Sequence, residues 1–197
     1  MIKLPNDFDS ARAYDGQGGP VLPIGGHICR ITGARIEKAS QSGADMLVVA
    51  FDIAEEGQYY GFYAAKYDRA RSYSDSAKWP GIFRTGIINR EGKTNAYFKG
   101  LITAVEESNP GYLFKATGGD EGTLKGKIVG FNFGEREFIK RDNTIGVIVE
   151  PFYAISAAKV REGVIAPARK VLNDAPRATG QPDAQGFTPV EDDELPF

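Results

Sequence analysis

The chain has 197 residues, 42% of them hydrophobic and 25% charged, which suits one domain with tails and supplies enough apolar surface for a core. Twelve Phe, nine Tyr and one Trp are too many for a disordered chain, while a single Cys and a single His exclude an internal disulfide and a cysteine-cluster zinc site. The formal net charge of −2 is uneven: residues 172–197 carry six acids and one base, a net of −5, so the other 171 residues carry +3.

Residues 1–23 are rich in Gly, Pro and Asp, as in Asp15-Gly16-Gln17-Gly18-Gly19-Pro20, and read as an irregular arm. Asp7 and Asp9, with no apolar stretch beside them, leave no secretory signal to expect. From His27 to Glu37, Ile28, Cys29, Ile31 and Ile36 amid polar residues predict a first strand. Ser40-Gln41-Ser42-Gly43 marks a turn, and Met46 to Ile53 predicts a central strand. Its apolar part, Met46 to Phe51, is the longest such run, six residues against the roughly 20 of a membrane helix. Glu55-Glu56-Gly57 marks another turn, and the aromatic stretch Tyr59 to Tyr67 reads as a third strand completing a meander. Ser72 to Arg90 reads as partly helical, broken at Pro80-Gly81.

Phe98, Leu101, Ile102 and Val105 then follow the spacing of one buried helical face. Thr94 or Asn95 can cap that helix, and Ser108-Asn109-Pro110-Gly111 ends it. Gly118 to Gly122 is a loop, and Lys127 to Phe133 and Thr144 to Ile155 predict two further strands. In the first of these, Val129, Phe131 and Phe133 share one side while Ile128, Gly130 and Asn132 share the other. From Asn173 on, Pro, Gly, Ala and Asp with few large apolar residues read as a flexible tail. The expected organisation is an irregular arm over 1–23, one domain over 24–171 and an acidic, disordered tail over 172–197. Three meander strands, a helix and two strands give a mainly β chain in the order of an OB-fold. That fold is a five-stranded, partly open Greek-key barrel, here with its helix between strands 3 and 4 and an additional helical segment.

Between Lys66 and Lys99 eight bases face only three acids, a local balance of +5, and aromatic residues are interleaved with them. Binding of single strands without sequence preference needs cations for phosphates and exposed rings on which bases stack. The candidates are Tyr60, Tyr63, Tyr67, Tyr73, Trp79 and Phe83, with Lys66, Arg69, Arg71, Lys78 and Arg84. Strand alternation would turn about half of these rings inward. A second patch is Phe138, Lys140 and Arg141, in the loop before the last strand, where OB-folds often line their groove. Lys125 and Lys127 are further candidates. Phosphate-loop motifs fail: a Walker A ending at Gly126-Lys127 would start on Glu121 and continue into Ile128, and Val21 breaks a G-x-G-x-x-G begun at Gly16. His27 on an apolar strand and Cys29 read as structural, and Asp45, Asp52 and Asp68 show no metal-site or acid–base spacing. No cofactor or metal is expected, and an enzyme such as a nuclease finds no activated nucleophile here. The expected setting is cytoplasmic, away from membranes.

The end of the chain, Glu191-Asp192-Asp193-Glu194-Leu195-Pro196-Phe197, has the chemistry of a docking peptide. Its ring can fill an apolar pocket, its carboxylates can meet a basic rim, and Pro196 lowers the cost of ordering. Asp192-Asp193-Glu194-Leu195-Pro196-Phe197 resembles the acidic tip of bacterial single-stranded DNA-binding proteins, which ends Asp-Asp-Asp-Ile-Pro-Phe. The body is similar instead to phage-encoded single-strand-binding proteins of the OB type. The segments that carry this are Ser40-Gln41-Ser42-Gly43, Trp79-Pro80, Ser108-Asn109-Pro110-Gly111-Tyr112 and Leu124-Lys125-Gly126-Lys127. The resemblance implies a non-catalytic single-stranded DNA-binding protein in the cytoplasm of a bacterial host. Its tip would recruit replication, recombination and repair proteins and compete with DNA for the groove. Self-association along the strand would suit one short-reach domain. The alternative is an OB-fold adaptor that binds another protein and little DNA.

Overall fold

The computed structural model describes Lys3, residues 20–40 and residues 42–172. Five strands carry the fold: β1 (Gly25–Lys38), β2 (Asp45–Ile53), β3 (Ile82–Gly86), β4 (Ile128–Ile139) and β5 (Ile145–Ile155). Among the described residues three α-helices accompany them: α1 (Phe62–Arg71), α2 (Ala96–Ser108) and α3 (Ala157–Glu162). The strands form one antiparallel open sheet in the order β3-β2-β1-β4-β5. No helix among the described residues is long and apolar enough to cross a membrane.

β1 is shared between two halves of the sheet. Gly25 to Arg30 pair with β4, and Cys29 to Lys38 pair with β2, with a register shift between Ile31 and Gly33. An extra residue at such a point bends a strand and increases its twist, so the sheet curls around one face. That face is the core. Cys29 and Ile31 meet Leu47, Val49, Phe51 and Ile53 of β2, Phe83 of β3, and Val129, Phe131 and Phe133 of β4. Helix α2 adds Leu101, Ile102, Ala104 and Val105. This is the helical face that the spacing predicts.

Capping fixes α2 at both ends. The Asn95 side chain accepts from the Tyr97 N–H (2.8 Å) and the Phe98 N–H (3.4 Å). At the other end Asn109 Oδ1 accepts from the Ile128 N–H at 3.0 Å, while its Nδ2 donates to the Ile128 carbonyl at 2.7 Å. These bonds tie the helix to the start of β4.

The stretch read as a third strand is a helix instead. Gly61 turns the chain with φ of +67°, and Phe62 to Arg71 then wind into α1. Ala64, Ala65, Lys66, Arg69 and Ala70 are good helix formers, and they outweigh the β preference of the tyrosines. The third strand lies in Ile82–Gly86, inside the stretch read as partly helical. Gly81 permits this change of course: a β-carbon there would stand 2.8 Å from the Tyr63 ring. The meander survives, because β3 pairs with β2 and β2 with β1.

Beyond Phe133, β4 leaves β1 and runs on with β5 alone as a ribbon ending at Ile139 and Ile145. Its outer edge is taken by the chain near Lys170, whose N–H donates to the Glu135 carbonyl and whose carbonyl accepts from the Glu137 N–H, each at 2.9 Å. Arg169 pairs with Glu135 at 2.6 Å, and the Leu172 N–H donates to Glu137 Oε2 at 3.3 Å. Leu22, which the sequence puts in the irregular arm, is buried in the core. The rest of that arm before Pro20, apart from Lys3, and the tail from Asn173 lie outside the described residues.

His27 lies under Phe133 and Tyr59, ring centroids 5.4 and 6.3 Å away, with Nε2 2.9 Å from the Pro23 carbonyl. Cys29 is fully buried, and burial, followed by the charges of Asp52 and Glu55, pushes its thiol well above the usual value. An aromatic disulfide reagent is therefore expected to leave the folded protein unlabelled and to react at the rate of global unfolding. Fast labelling in native buffer would contradict the packing around β1.

Candidate nucleic-acid interface

Helix α1 owes its position to Asp52. Gly61, at its N-cap, has no side chain with which to cap. The carboxylate of Asp52 on β2 does this instead, accepting from the Tyr63 N–H at 2.8 Å and the Ala64 N–H at 3.1 Å. An anion at a helix N-terminus also meets the positive end of the helix dipole. Asp52→Ala is expected to cost about 1–2 kcal/mol, the range for a lost cap, and Asp52→Asn much less, as read by thermal unfolding.

Tyr63 is the only α1 residue that is buried. It meets Phe51 edge-on at 5.3 Å, and burial raises its phenol far above the ordinary value. Phe83 is also buried, packed on Phe131 at 5.1 Å. Both rings were candidates for base stacking, but each is about 5% exposed and serves the core. Tyr67 and Trp79 are half-buried against each other at 5.4 Å, and the Trp79 Nε1–H donates to the Phe51 carbonyl at 3.1 Å. Tyr60 and Tyr73 are 68% and 86% exposed.

These two exposed rings flank a cleft of about 540 Å³. Tyr60, Lys66, Arg69 and Tyr73 form its wall on the α1 side, and Val147, Ile148 and Val149 of β5 form the other. The sequence gives no warning of this second wall, because three successive apolar residues in a strand look like core. Here Val147 and Ile148 are both more than 40% exposed, since the ribbon runs past the sheet and has solvent on both faces. The ribbon that makes this wall carries Phe138, Lys140 and Arg141 at its end, all three exposed. The helix and the hairpin, far apart in sequence, thus border one surface.

Five cations elsewhere have carboxylate partners, while Lys99, Lys115, Lys125, Lys159 and Arg161 have no ion pair among the described residues. Arg35 pairs with Glu37, Lys38 with Asp45, Lys93 with Glu91, Arg136 with Glu150 and Arg169 with Glu135. Among the described residues no carboxylate lies within ion-pairing distance of Lys66, Arg69, Arg71, Lys78, Lys140 or Arg141. Lys66 sits 6.0 Å from the Phe62 ring centre, and Arg71 lies equally far from that of Tyr67. Asp142, the acid within the hairpin loop, accepts from the Thr144 hydroxyl at 2.6 Å and its N–H at 3.1 Å. Those bonds, the hydroxyl's above all, hold its carboxyl below the usual range.

Arg84 of β3 is also exposed and has no ion pair among the described residues, but it stands opposite Val48 of β2, and neither it nor Lys78 lines the cleft. Lys127 is engaged over the Tyr112 ring at 4.4 Å. Among the described residues no three of His, Cys, Asp or Glu come together as a metal site. The docking residues Asp192, Asp193, Glu194, Leu195, Pro196 and Phe197 lie outside the described residues. The chain matches no protein-family model and no curated protein sequence.

Proposed function

We propose that the protein binds single-stranded DNA with little sequence preference, across the surface bordered by α1 and the β4–β5 hairpin. The observation that carries this is the set of cations on α1 that meet no carboxylate among the described residues, beside two exposed tyrosines and an apolar cleft. Phosphates supply the missing counter-charges, and unpaired bases suit the tyrosines and the apolar wall. A protein ligand would have to bring acidic side chains to these cations as well as apolar ones to the wall.

The sheet supports an OB-fold reading. A bent β1 pairs with both β2 and β4, α2 lies between β3 and β4, and β3 and β5 are the two strands that would close a barrel. The hairpin is then the loop joining strands 4 and 5, one of those with which OB-folds bind oligonucleotides. The acidic tip extends this reading: Leu195, Pro196 and Phe197 would dock on replication, recombination or repair proteins in the cytoplasm. Phe197→Ala is expected to remove most of that recruitment and leave DNA affinity unchanged. Equal recruitment by the variant would mean that only the acids are recognised.

Trp79 is the single tryptophan and sits beside α1, so its fluorescence reports on this surface. A poly-dT titration at low salt should give a saturable change that weakens as salt rises. No saturable change in fluorescence or in gel mobility would overturn the proposal and favour the adaptor.

A further inference from the structure

Gly146 lies directly opposite Phe138 in the β4–β5 pair. A β-carbon on Gly146 would stand 2.6 and 2.8 Å from Cζ and Cε1 of Phe138 and 3.0 Å from Cε of Lys140. The ring and the lysine stem therefore rest together on the backbone of Gly146. This covers Gly146, although its neighbours Ile145 and Val147 are 48% and 44% exposed. The glycine is not there for its backbone, since its φ is outside the left-handed region and any residue could adopt it. What the position uses is the absence of a side chain.

Phe138 itself contributes little to folding. It does not belong to the core cluster, and among the described residues no other aromatic ring packs on it. It is nevertheless held in one place with 36% of its surface open, beside Lys140 and Arg141. Neither of these forms an ion pair with a carboxylate of the described residues, although the charge of Asp142 acts on Lys140. A ring fixed in position with an open side is a platform for another flat π-system, and the adjacent charges select one that carries a phosphate.

We propose that Phe138, Lys140 and Arg141 form a built site for one unpaired nucleobase and its flanking phosphate, and that Gly146 is its positioning residue. This rests on the single-strand-binding reading above. It adds a defined station at the hairpin end of that surface, so that the strand is held there as well as at α1.

The test is a double-mutant cycle on a dT oligonucleotide, with a 2-aminopurine-containing strand as a second probe. Phe138→Ala should weaken binding about 5- to 100-fold, the range for loss of one stacked base. Gly146→Val should weaken it by a similar factor, although Gly146 reaches no DNA. The double variant should be no weaker than Phe138→Ala alone. A purely structural Gly146 would lose melting temperature together with affinity, whereas here the exposed ring and lysine stem can swing off the added side chain and Val favours a strand more than Gly does. The melting temperature of Gly146→Val should therefore hold or rise while its affinity falls. Phe138→Leu, which keeps an apolar side chain over Gly146, should bind like Phe138→Ala and lose the 2-aminopurine quenching. Multiplied effects in the double variant, or wild-type affinity in either single variant, would overturn the site. If the wild-type protein fails to bind dT, the single-strand-binding reading falls and takes this site with it. If it binds and the Phe138 variants match it, only the hairpin site falls.

Discussion

Replacing Lys66, Arg69 and Arg71 together with alanine is expected to weaken single-strand binding by about a hundredfold at low salt and to flatten its salt dependence. The three residues are the only cations of α1, and no carboxylate of the described residues pairs with them. If each meets one phosphate, each contributes about 0.7 to the slope of log affinity against log salt, so removing three lowers it by about two. An exposed charge contact of this kind contributes roughly 1 kcal/mol, which gives the hundredfold. Alanine keeps the helix, because its propensity offsets much of what Arg69 and Arg71 give to the negative end of the helix dipole. Lys38→Ala with Lys93→Ala removes two cations already engaged by Asp45 and Glu91, and should change little. Equal losses in the two sets would mean that only net charge matters; an unchanged slope in the first would remove α1 from the interface.

The elements that the sequence shows well are those whose side chains have one clear period. Met46 to Ile53 is apolar and β-branched and becomes β2, and Phe98, Leu101, Ile102 and Val105 mark the buried face of α2. Helix α1 has no such mark. It buries Tyr63 alone, so no 3.6-residue pattern rises above its aromatic content, and what makes it a helix is partly Asp52, ten residues before its first turn. β3 is as hard to see: five residues with Arg84 in the middle, of which Phe83 and Thr85 turn inward. Tertiary contacts decide both segments, and they are adjacent in the chain, so one misread strand became two errors.

The candidate site divides in the same way. The excess of bases and rings between residues 59 and 99 is visible in composition alone. Which rings are open is not, because Tyr63 and Tyr60 differ by three positions and only their place at the head of α1 puts one in the core and the other in solvent. Val147 and Ile148 read as core, yet they face a cleft, and Gly146 gives no signal until Phe138 is seen above it. Each of these depends on the ribbon leaving the sheet after Phe133, which is a property of strand pairing rather than of any local run of residues.

The interface and the core should fail together at Phe51. This side chain is fully buried and touches Phe131 at 4.7 Å, Phe133 at 6.1 Å and, across to α1, Tyr63 at 5.3 Å. Its backbone carbonyl also accepts from Trp79, and its N–H donates to the Gly81 carbonyl at 2.9 Å. Phe51→Ala is expected to cost about 3–5 kcal/mol, a large part of the roughly 5–15 kcal/mol of a typical domain, and to lower the melting temperature by roughly 10 °C. Phe131→Ala removes an equally buried ring and should cost a similar amount, but its ring contacts are with Phe51, Phe83 and Phe133, none of them on α1. The two variants separate packing from positioning. At a temperature where both remain folded, Phe51→Ala should also lose DNA affinity, because Tyr63 loses its seat and α1 its fixed angle, while Phe131→Ala should bind like the wild type. Matching affinities in the two would show that α1 is held well enough by Asp52 alone, and that the core seats the sheet without setting the interface.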